Sequence, residues 1–374
     1  MKRPWLWIAL SIMPLLIAFS NHVVGDIPVY FAAMEDWKNG ELPYAHHPFE
    51  YPPYALALFA LPALAKSFAA FRALFMAEIL ALDICLKRWL LRQANPWPFL
   101  AVSGAALALE YIYLKRFDLV PSVLTLAALA LLLQKRALAA GLCLGASIPL
   151  KLYPLVLMLP LLALAWRERV LPRFIGGIVV ALLPLAVASA WLPWWRFAIS
   201  HTQRGMEAET LYAGAIWLAE HIVPGHAHWH LAPWAEVAGP WCDAVMPTVK
   251  VVWVVLTLAS SMVAAYRLWR TPLDLACASR VMLLPLLAFM VFGYVFSPQY
   301  LLWTVGFAAC ALQQPRRAAV VLIFAAIAMS ALVFPSPTYA TGLDLPRTVV
   351  LCVRNLTLLV SWALIGTDTL KGRT

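Results

Sequence analysis

Long apolar stretches separated by short polar connections run from one end of the chain to the other. Each is near the roughly 17–25 residues that cross a bilayer as an α-helix. They predict spanning helices near 5–20, 68–87, 97–114, 119–134, 137–150, 154–166, 174–192, 248–266, 279–296, 299–313, 317–334 and 349–366, twelve in all. The first lacks a small-x-small cleavage site and is one of many such stretches, so it is expected to stay as a helix rather than leave as a signal peptide. A further apolar run, Tyr54 to Ala65, is too short to span comfortably. Its prolines at 52, 53 and 62 suit a broken, interfacial or re-entrant helix. Two connections are long, 21–67 and 193–247, and neither reads as a soluble domain. The expected architecture is all-α and polytopic, one integral membrane domain over 1–374.

Charge then sets the orientation. With the N-terminus inside, the inner loops carry Lys2/Arg3, Lys87/Arg88/Arg92, Lys135/Arg136, Arg167/Arg169/Arg173, Arg267/Arg270/Arg280, Arg316/Arg317 and Lys371/Arg373. Every inner loop has at least two cations, as the positive-inside bias requires. Counting Tyr54–Ala65 as a span would put Lys87, Arg88 and Arg92 outside. Both termini are therefore expected in the cytoplasm, with the two long loops on the outer face.

Composition agrees with this picture. The chain is 63% apolar and 12% charged, against about 25% charged in soluble domains. Its net charge of +10 is accounted for by the inner clusters, so nucleic acid is not an expected partner. Five of the six cysteines (Cys85, Cys143, Cys277, Cys310, Cys352) fall in apolar stretches, and no disulfide or metal cluster is expected. The one N-x-S/T sequon starts at Asn355, inside a predicted helix. It gives no sign of luminal glycosylation, and a bacterial plasma (inner) membrane is the expected location.

Twelve acids face outward in this topology: Asp26, Glu35, Asp36, Glu41, Glu50, Asp118, Glu207, Glu209, Glu220, Glu236, Asp243 and Asp344. Position alone does not choose among them. Asp26 lies where the first span leaves the bilayer, a place for a general base at the lipid–water boundary. His201 and Arg204 share a face if helical. Lys151, between Pro149 and Pro154, either snorkels to the interface or meets an anionic lipid head, as do Arg72 and Arg354. Glu78 and Asp83 are expected to be packing polars or partners of Arg72 and Lys87. His226, His228 and His230 alternate without an acid in the run, which fits a solvated loop better than a metal site.

The run Asp26, Tyr30, Gly40, Tyr44 and Tyr51-Pro52-Pro53 resembles the first outer loop of glycosyltransferase family 87, a branch of the GT-C superfamily. Phe117-Asp118-Leu119-Val120-Pro121, Lys151-Leu152-Tyr153-Pro154, His201-Thr202-Gln203-Arg204-Gly205 and Ser297-Pro298-Gln299-Tyr300-Leu301-Leu302-Trp303 resemble later family segments, in the family's order. Met206 and Thr210 depart from it, standing where the family carries Gln and Ser. The resemblance implies about twelve transmembrane helices with outer-face juxtamembrane helices. It implies transfer, with inversion and without metal or cofactor, from a polyprenyl-phosphate sugar. Mannose is the first choice of sugar and arabinose or another the second. The acceptor would be a lipid-linked glycan or glycolipid at the outer leaflet. Asp26 would be the base, and His201, Arg204, Lys151, Tyr30, Tyr44, His47, Tyr51 and Gln299 would contact the donor.

Such chemistry fits one base near the acceptor hydroxyl and cations on the departing phosphate. A glycosidase would need a carboxylate pair. A lipid-linked sugar transporter or flippase is the competing reading, which would favour inverted repeats and binding groups near the midplane. A non-catalytic lipid-binding subunit is a third.

Overall fold

The computed structural model describes residues 9–14, 16, 25–92, 95–202, 204–231, 234–334 and 341–373, with the side chains of 200–202 outside that description. Most of the span expected at 5–20 therefore lies outside the described residues. The chain is mostly helical and divides into two compact units, residues 1–155 with 165–203 and residues 156–164 with 204–374.

In the first unit, α1 (Ile27–Lys38) opens with Pro28 in its first turn, where a missing N–H costs nothing. It stops at Asn39-Gly40, with Gly40 at φ +90°. The apolar run that is too short to span forms α2 (Tyr54–Ala60) and a 3-10 turn, Pro62–Leu64, as its prolines require. Ser67 then caps α3 (Phe68–Leu91), its hydroxyl accepting from the Ala70 amide at 3.3 Å.

Lys87, expected in an inner loop, lies inside α3. It is 1% exposed, with its Nζ 2.6 Å from Asp83 one turn earlier. The Tyr113 hydroxyl donates to the same carboxylate at 2.7 Å. The span expected at 97–114 is shorter as a helix: α4 (Trp97–Ala108) ends early, and turns fill 109–118 before α5 (Leu119–Leu133). Those turns carry Tyr111, Tyr113, Lys115 and Asp118, all buried, so polar groups are met by protein rather than lipid.

The tightest helix contact in this unit joins α6 (Ala137–Ser147) to α8 (Leu171–Ala188), with α7 (Leu155–Arg167) between them in sequence. A Cβ on Gly141 would sit 2.0 Å from the Phe174 carbonyl oxygen, and one on Gly177 would sit 2.2 Å from that of Leu138. Small residues let the two backbones touch, a common way for helices to associate in lipid.

The second unit takes residues 156–164 of α7 and then a small antiparallel sheet in the second long loop. Its strands are β1 (Met206–Glu207), β2 (His228–Leu231) and β3 (Ala235–Ala238), in the order β1-β3-β2. Hydropathy gives no warning of it, because the strands are too short to show a period. Thr210 caps α10 (Leu211–Glu220). The helices α11 (Pro240–Arg270), α12 (Leu275–Val291), α13 (Leu302–Ala311), α14 (Ala318–Val333) and α15 (Leu345–Leu370) follow.

Among the described residues, α8, α11 and α15 are long and apolar enough to cross a membrane, and six other apolar helices are shorter. Their polarity runs inside out. On α15, Val349, Val353, Leu356, Val360 and Leu364 are exposed, while Thr348, Arg354, Asn355 and Ser361 are buried. Apolar stripes of this length facing outward mark a lipid-facing surface.

Two outcomes follow from this packing. Gly141→Leu should lower the unfolding midpoint in detergent, with an overpacking cost of about 1–3 kcal/mol or more. Gly104→Ala, inside α4 where nothing lies within 4 Å of the added Cβ, should keep the midpoint or raise it slightly. An unaffected Gly141→Leu would contradict the close contact.

Candidate active site

Gly25 has φ +61°, and a Cβ there would lie 3.2 Å from the Lys115 Cβ. Glycine thus lets the chain enter α1 close against the 109–118 turn. The next residue, Asp26, stands at the N-terminus of α1 without using its side chain as a cap. Its carboxylate instead accepts the Tyr51 hydroxyl and pairs with the Arg116 guanidinium. The Asp26 and Arg116 side chains are each 18% exposed.

Tyr51 is held on all sides. The Tyr44 hydroxyl donates to its carbonyl oxygen at 2.6 Å. Its ring meets Tyr30, Phe49 and Phe117 edge-on, with centroids 5.4, 5.5 and 5.3 Å away. Tyr30 in turn stacks on Phe59 at 4.3 Å. This nest fixes the rings before any ligand arrives. Burial above all raises the Tyr51 phenol well above its ordinary range, so it stays protonated and donates to Asp26.

A second carboxylate–cation pair lies beside the first. Lys151 donates to both oxygens of Asp118, at 2.8 and 2.9 Å, and Asp118 is fully buried. The Lys151 ammonium is 4.9 Å from the centre of the Phe117 ring and 5.7 Å from that of Tyr51. Burial lowers the Lys151 pKa, and the facing Asp118 charge opposes that shift. Asp118 therefore decides where Lys151 points.

Of the residues singled out by sequence, Asp26, Tyr30, Tyr44, Tyr51 and Lys151 belong to this one nest. His47 sits at its rim: its carbonyl accepts from the Tyr44 amide at 3.0 Å, and its Nε2 is 3.8 Å from Asp36. His201 is in α9 (Phe197–Thr202), with its side chain outside the described residues. Arg196, just before α9, donates to the Tyr44 and Ala45 carbonyls at 3.3 and 3.5 Å.

Sequence reasoning missed Arg116. Its signal was present, since Lys115-Arg116 puts two adjacent cations in a connection expected to face outward, against the positive-inside bias. Asp118 was visible only as one of the outward acids and as part of a family-like segment.

Arg204 and Gln299 belong to the second unit. Arg204 pairs with Glu207 at 3.0 Å and lies over the Trp234 ring, 4.3 Å from its centre. The Gln299 amide oxygen accepts from the Ser297 hydroxyl. Glu207 on β1 stands opposite Glu236 on β3. Their like charges are tolerated because Arg204 takes one and the Gly205 amide donates to the other at 2.8 Å. A Cβ on Gly205 would be 2.6 Å from Glu236 Oε2, so a side chain there would push that carboxylate aside.

Arg354 does not reach a lipid head. It is fully buried and donates to Glu209 Oε2 and to the Glu209 carbonyl, both at 2.6 Å, and to Asn355. The Asn355 amide donates to the Glu209 carbonyl at 3.2 Å, so the sequon asparagine is enclosed. His226 stacks on Trp241, while His228 and His230 lie on β2. Among the described residues no group of three or more His, Cys, Asp or Glu is placed to hold a metal ion.

Removing one partner of a buried ion pair leaves the other charge stranded, at a cost of about 3–5 kcal/mol. Arg354→Ala should therefore destabilise the protein far more than the paired change Arg354→Met/Glu209→Gln. Thermal unfolding of the two variants in one detergent checks this, and equal midpoints would contradict it.

A comparison with curated proteins finds no match. The sequence model of glycosyltransferase family 87 matches residues 49–298. That stretch includes Tyr51, Arg116, Asp118, Lys151, His201 and Arg204. Asp26, Tyr30, Gly40, Tyr44 and His47 precede it, and Gln299 is the next residue after it. With more than half of its length matched, the chain belongs to glycosyltransferase family 87.

Proposed function

We propose that this glycosyltransferase moves a sugar, mannose as first choice, from a polyprenyl-phosphate donor to a lipid-linked or glycolipid acceptor. The reaction takes place on the outer face of a bacterial inner membrane. The whole chain, 1–374, works as one polytopic GT-C domain of about twelve spans, with both termini in the cytoplasm. The observation that carries the reading is the Asp26 carboxylate, set between Tyr51 and Arg116 beside the Asp118–Lys151 pair.

In this mechanism the acceptor O–H gives its proton to Asp26 as its oxygen attacks the anomeric carbon from the face opposite the phosphate. The C–O bond to phosphate breaks, and its electron pair leaves with the polyprenyl phosphate. The configuration inverts. Tyr51 keeps the Asp26 carboxylate aimed, and a positioned base of this kind accounts for about 10²–10⁴ in rate. The leaving phosphate needs donors aimed at its growing charge. His201, Arg204, Lys151 and Gln299 are the groups for that work, while Tyr30, Tyr44 and His47 support the nest. No metal or cofactor enters the scheme. A polyprenyl chain cannot leave the bilayer cheaply, since each CH₂ is worth about 0.8 kcal/mol, so the phosphate must be met at the interface.

Asp26→Asn keeps the shape of the site and removes its proton acceptor. Turnover of a polyprenyl-phosphate sugar by the purified variant should fall by about 10²–10⁴-fold, with donor binding kept or tightened. Near-normal turnover from a folded Asp26→Asn variant would remove the catalytic assignment.

Reporter fusions at Gln93, Gln134 and Gln314 should all score as cytoplasmic. A periplasmic score at Gln93 alone would mean that Tyr54–Ala65 crosses the membrane.

A further inference from the structure

We propose that Arg116 joins the groups that meet the donor's phosphate, and that it does so by leaving Asp26, so that donor binding itself frees the base of its counter-charge. This rests on the reading of Asp26 as the base and of a sugar phosphate as the donor.

The argument begins with the state of Asp26. Its carboxylate is engaged by the Arg116 guanidinium and by the Tyr51 hydroxyl. Both contacts fall on Oδ2, and the facing guanidinium offsets the negative charge, which favours the ionised form and weakens the carboxylate as a proton acceptor. Drawing Arg116 away would make Asp26 the stronger base. A phosphate suits that exchange. The guanidinium fork fits phosphate oxygens as well as carboxylate oxygens, two hydrogen bonds at a time, so one partner replaces the other with little loss. Tyr51 stays behind to hold the freed carboxylate, because its ring is wedged among Tyr30, Phe49 and Phe117.

Lys151, the other cation of the nest, is not suited to this exchange. Both oxygens of a fully buried carboxylate hold its ammonium, so it can meet a phosphate while it stays with Asp118 but would lose two hydrogen bonds to a buried charge by leaving. The Asp26–Arg116 pair is less enclosed, each side chain being 18% exposed. Its surroundings are also more positive. Lys115 is next in sequence and buried in the same turn, and Arg72 lies close enough to act on it. Burial first, and the Arg72 charge after it, pull the Lys115 pKa down to about 8, with Glu110 opposing. An arriving phosphate would ease that crowding of cations.

The test is a double-mutant cycle on binding, with undecaprenyl phosphate as the probe and the full chain in phosphatidylcholine nanodiscs. Arg116→Gln should weaken binding on the order of 10- to 100-fold, as expected for lost hydrogen bonds to a charged group. Asp26→Asn, which spares Arg116 the exchange, should bind at least about 2-fold tighter than the unaltered protein, the lower edge of coupling between contacting residues. That gain should vanish when Arg116 is already Gln. Three results would overturn the proposal. Asp26→Asn binding no tighter than the unaltered protein does so whether or not the Arg116 variants fold. A folded Arg116→Gln variant that binds normally does so as well. So does displacement of the probe from the unaltered protein when phosphatidylglycerol replaces phosphatidylcholine, since the cations would then serve a lipid headgroup. These are binding measurements, so they stay readable if turnover shows that Asp26 is not the base.

Discussion

Asp26 faces Arg116 and Asp118 faces Lys151 in one largely enclosed nest of the first unit, and the 109–118 turn supplies two of the four groups. A charge placed in the bilayer is costly, about 2.5–3.5 kcal/mol per group at the centre on insertion scales. Near the interface the cost is smaller but still demands partners. Asp118 therefore takes Lys151 with both oxygens, and Asp26 takes Arg116 and Tyr51. The 109–118 segment turns instead of continuing α4, which keeps Lys115, Arg116 and Asp118 against protein. Gly25 supplies the left-handed step that brings Asp26 up to that turn.

The aromatic residues do a different job. Tyr30, Phe49, Tyr51, Phe59 and Phe117 make a set of edge-on and stacked rings with no water-filled gap required between them. Such a set loses little entropy when a ligand binds, because its rotamers are already locked. A hydroxyl carried on it points in one direction only. This is why Tyr51 is suited to orient a carboxylate, and why the Tyr-Pro-Pro stretch is as much a part of the site as Asp26. The prolines start α2 and fix the path of the chain just after the tyrosine.

The same logic recurs independently in the second unit. Arg354 on α15 and Glu209, next to β1, form a fully buried pair, which Asn355 and the Glu209 carbonyl complete. Buried ionic groups of this kind are weak contributors to net stability but exclude alternative arrangements, since any slip leaves a charge unpaired. Here the pair ties the chain beside a short strand to a long apolar helix. Glu207 sits on that strand, and its partner Arg204 lies just before it.

Periodicity and charge along the chain were enough to determine its class. Long apolar runs in lipid favour helices, and cation clusters at alternate connections give them an expected orientation. The apolar run that is too short to span was legible for the same reason, and so was the bond between Asp83 and Lys87, which are one helical turn apart. Asp26 stood out through the pattern of aromatic residues around it. What the sequence did not contain was the choice of partner. Asp26 and Arg116 are far apart in the chain, as are Asp118 and Lys151, and Glu209 and Arg354. No local rule of spacing connects them. Arg354 looked like a residue reaching for a lipid head, and Lys87 like part of an inner loop, because one-dimensional patterns register that a charge is present and not what neutralises it. The three short strands were invisible for a related reason, since their pairing joins segments too brief to carry a period of their own. The sequence determined that these charges exist and on which side of the membrane they are expected. Only the tertiary structure decided which charge faces which, because pairing depends on long-range contacts made when the helices and turns pack.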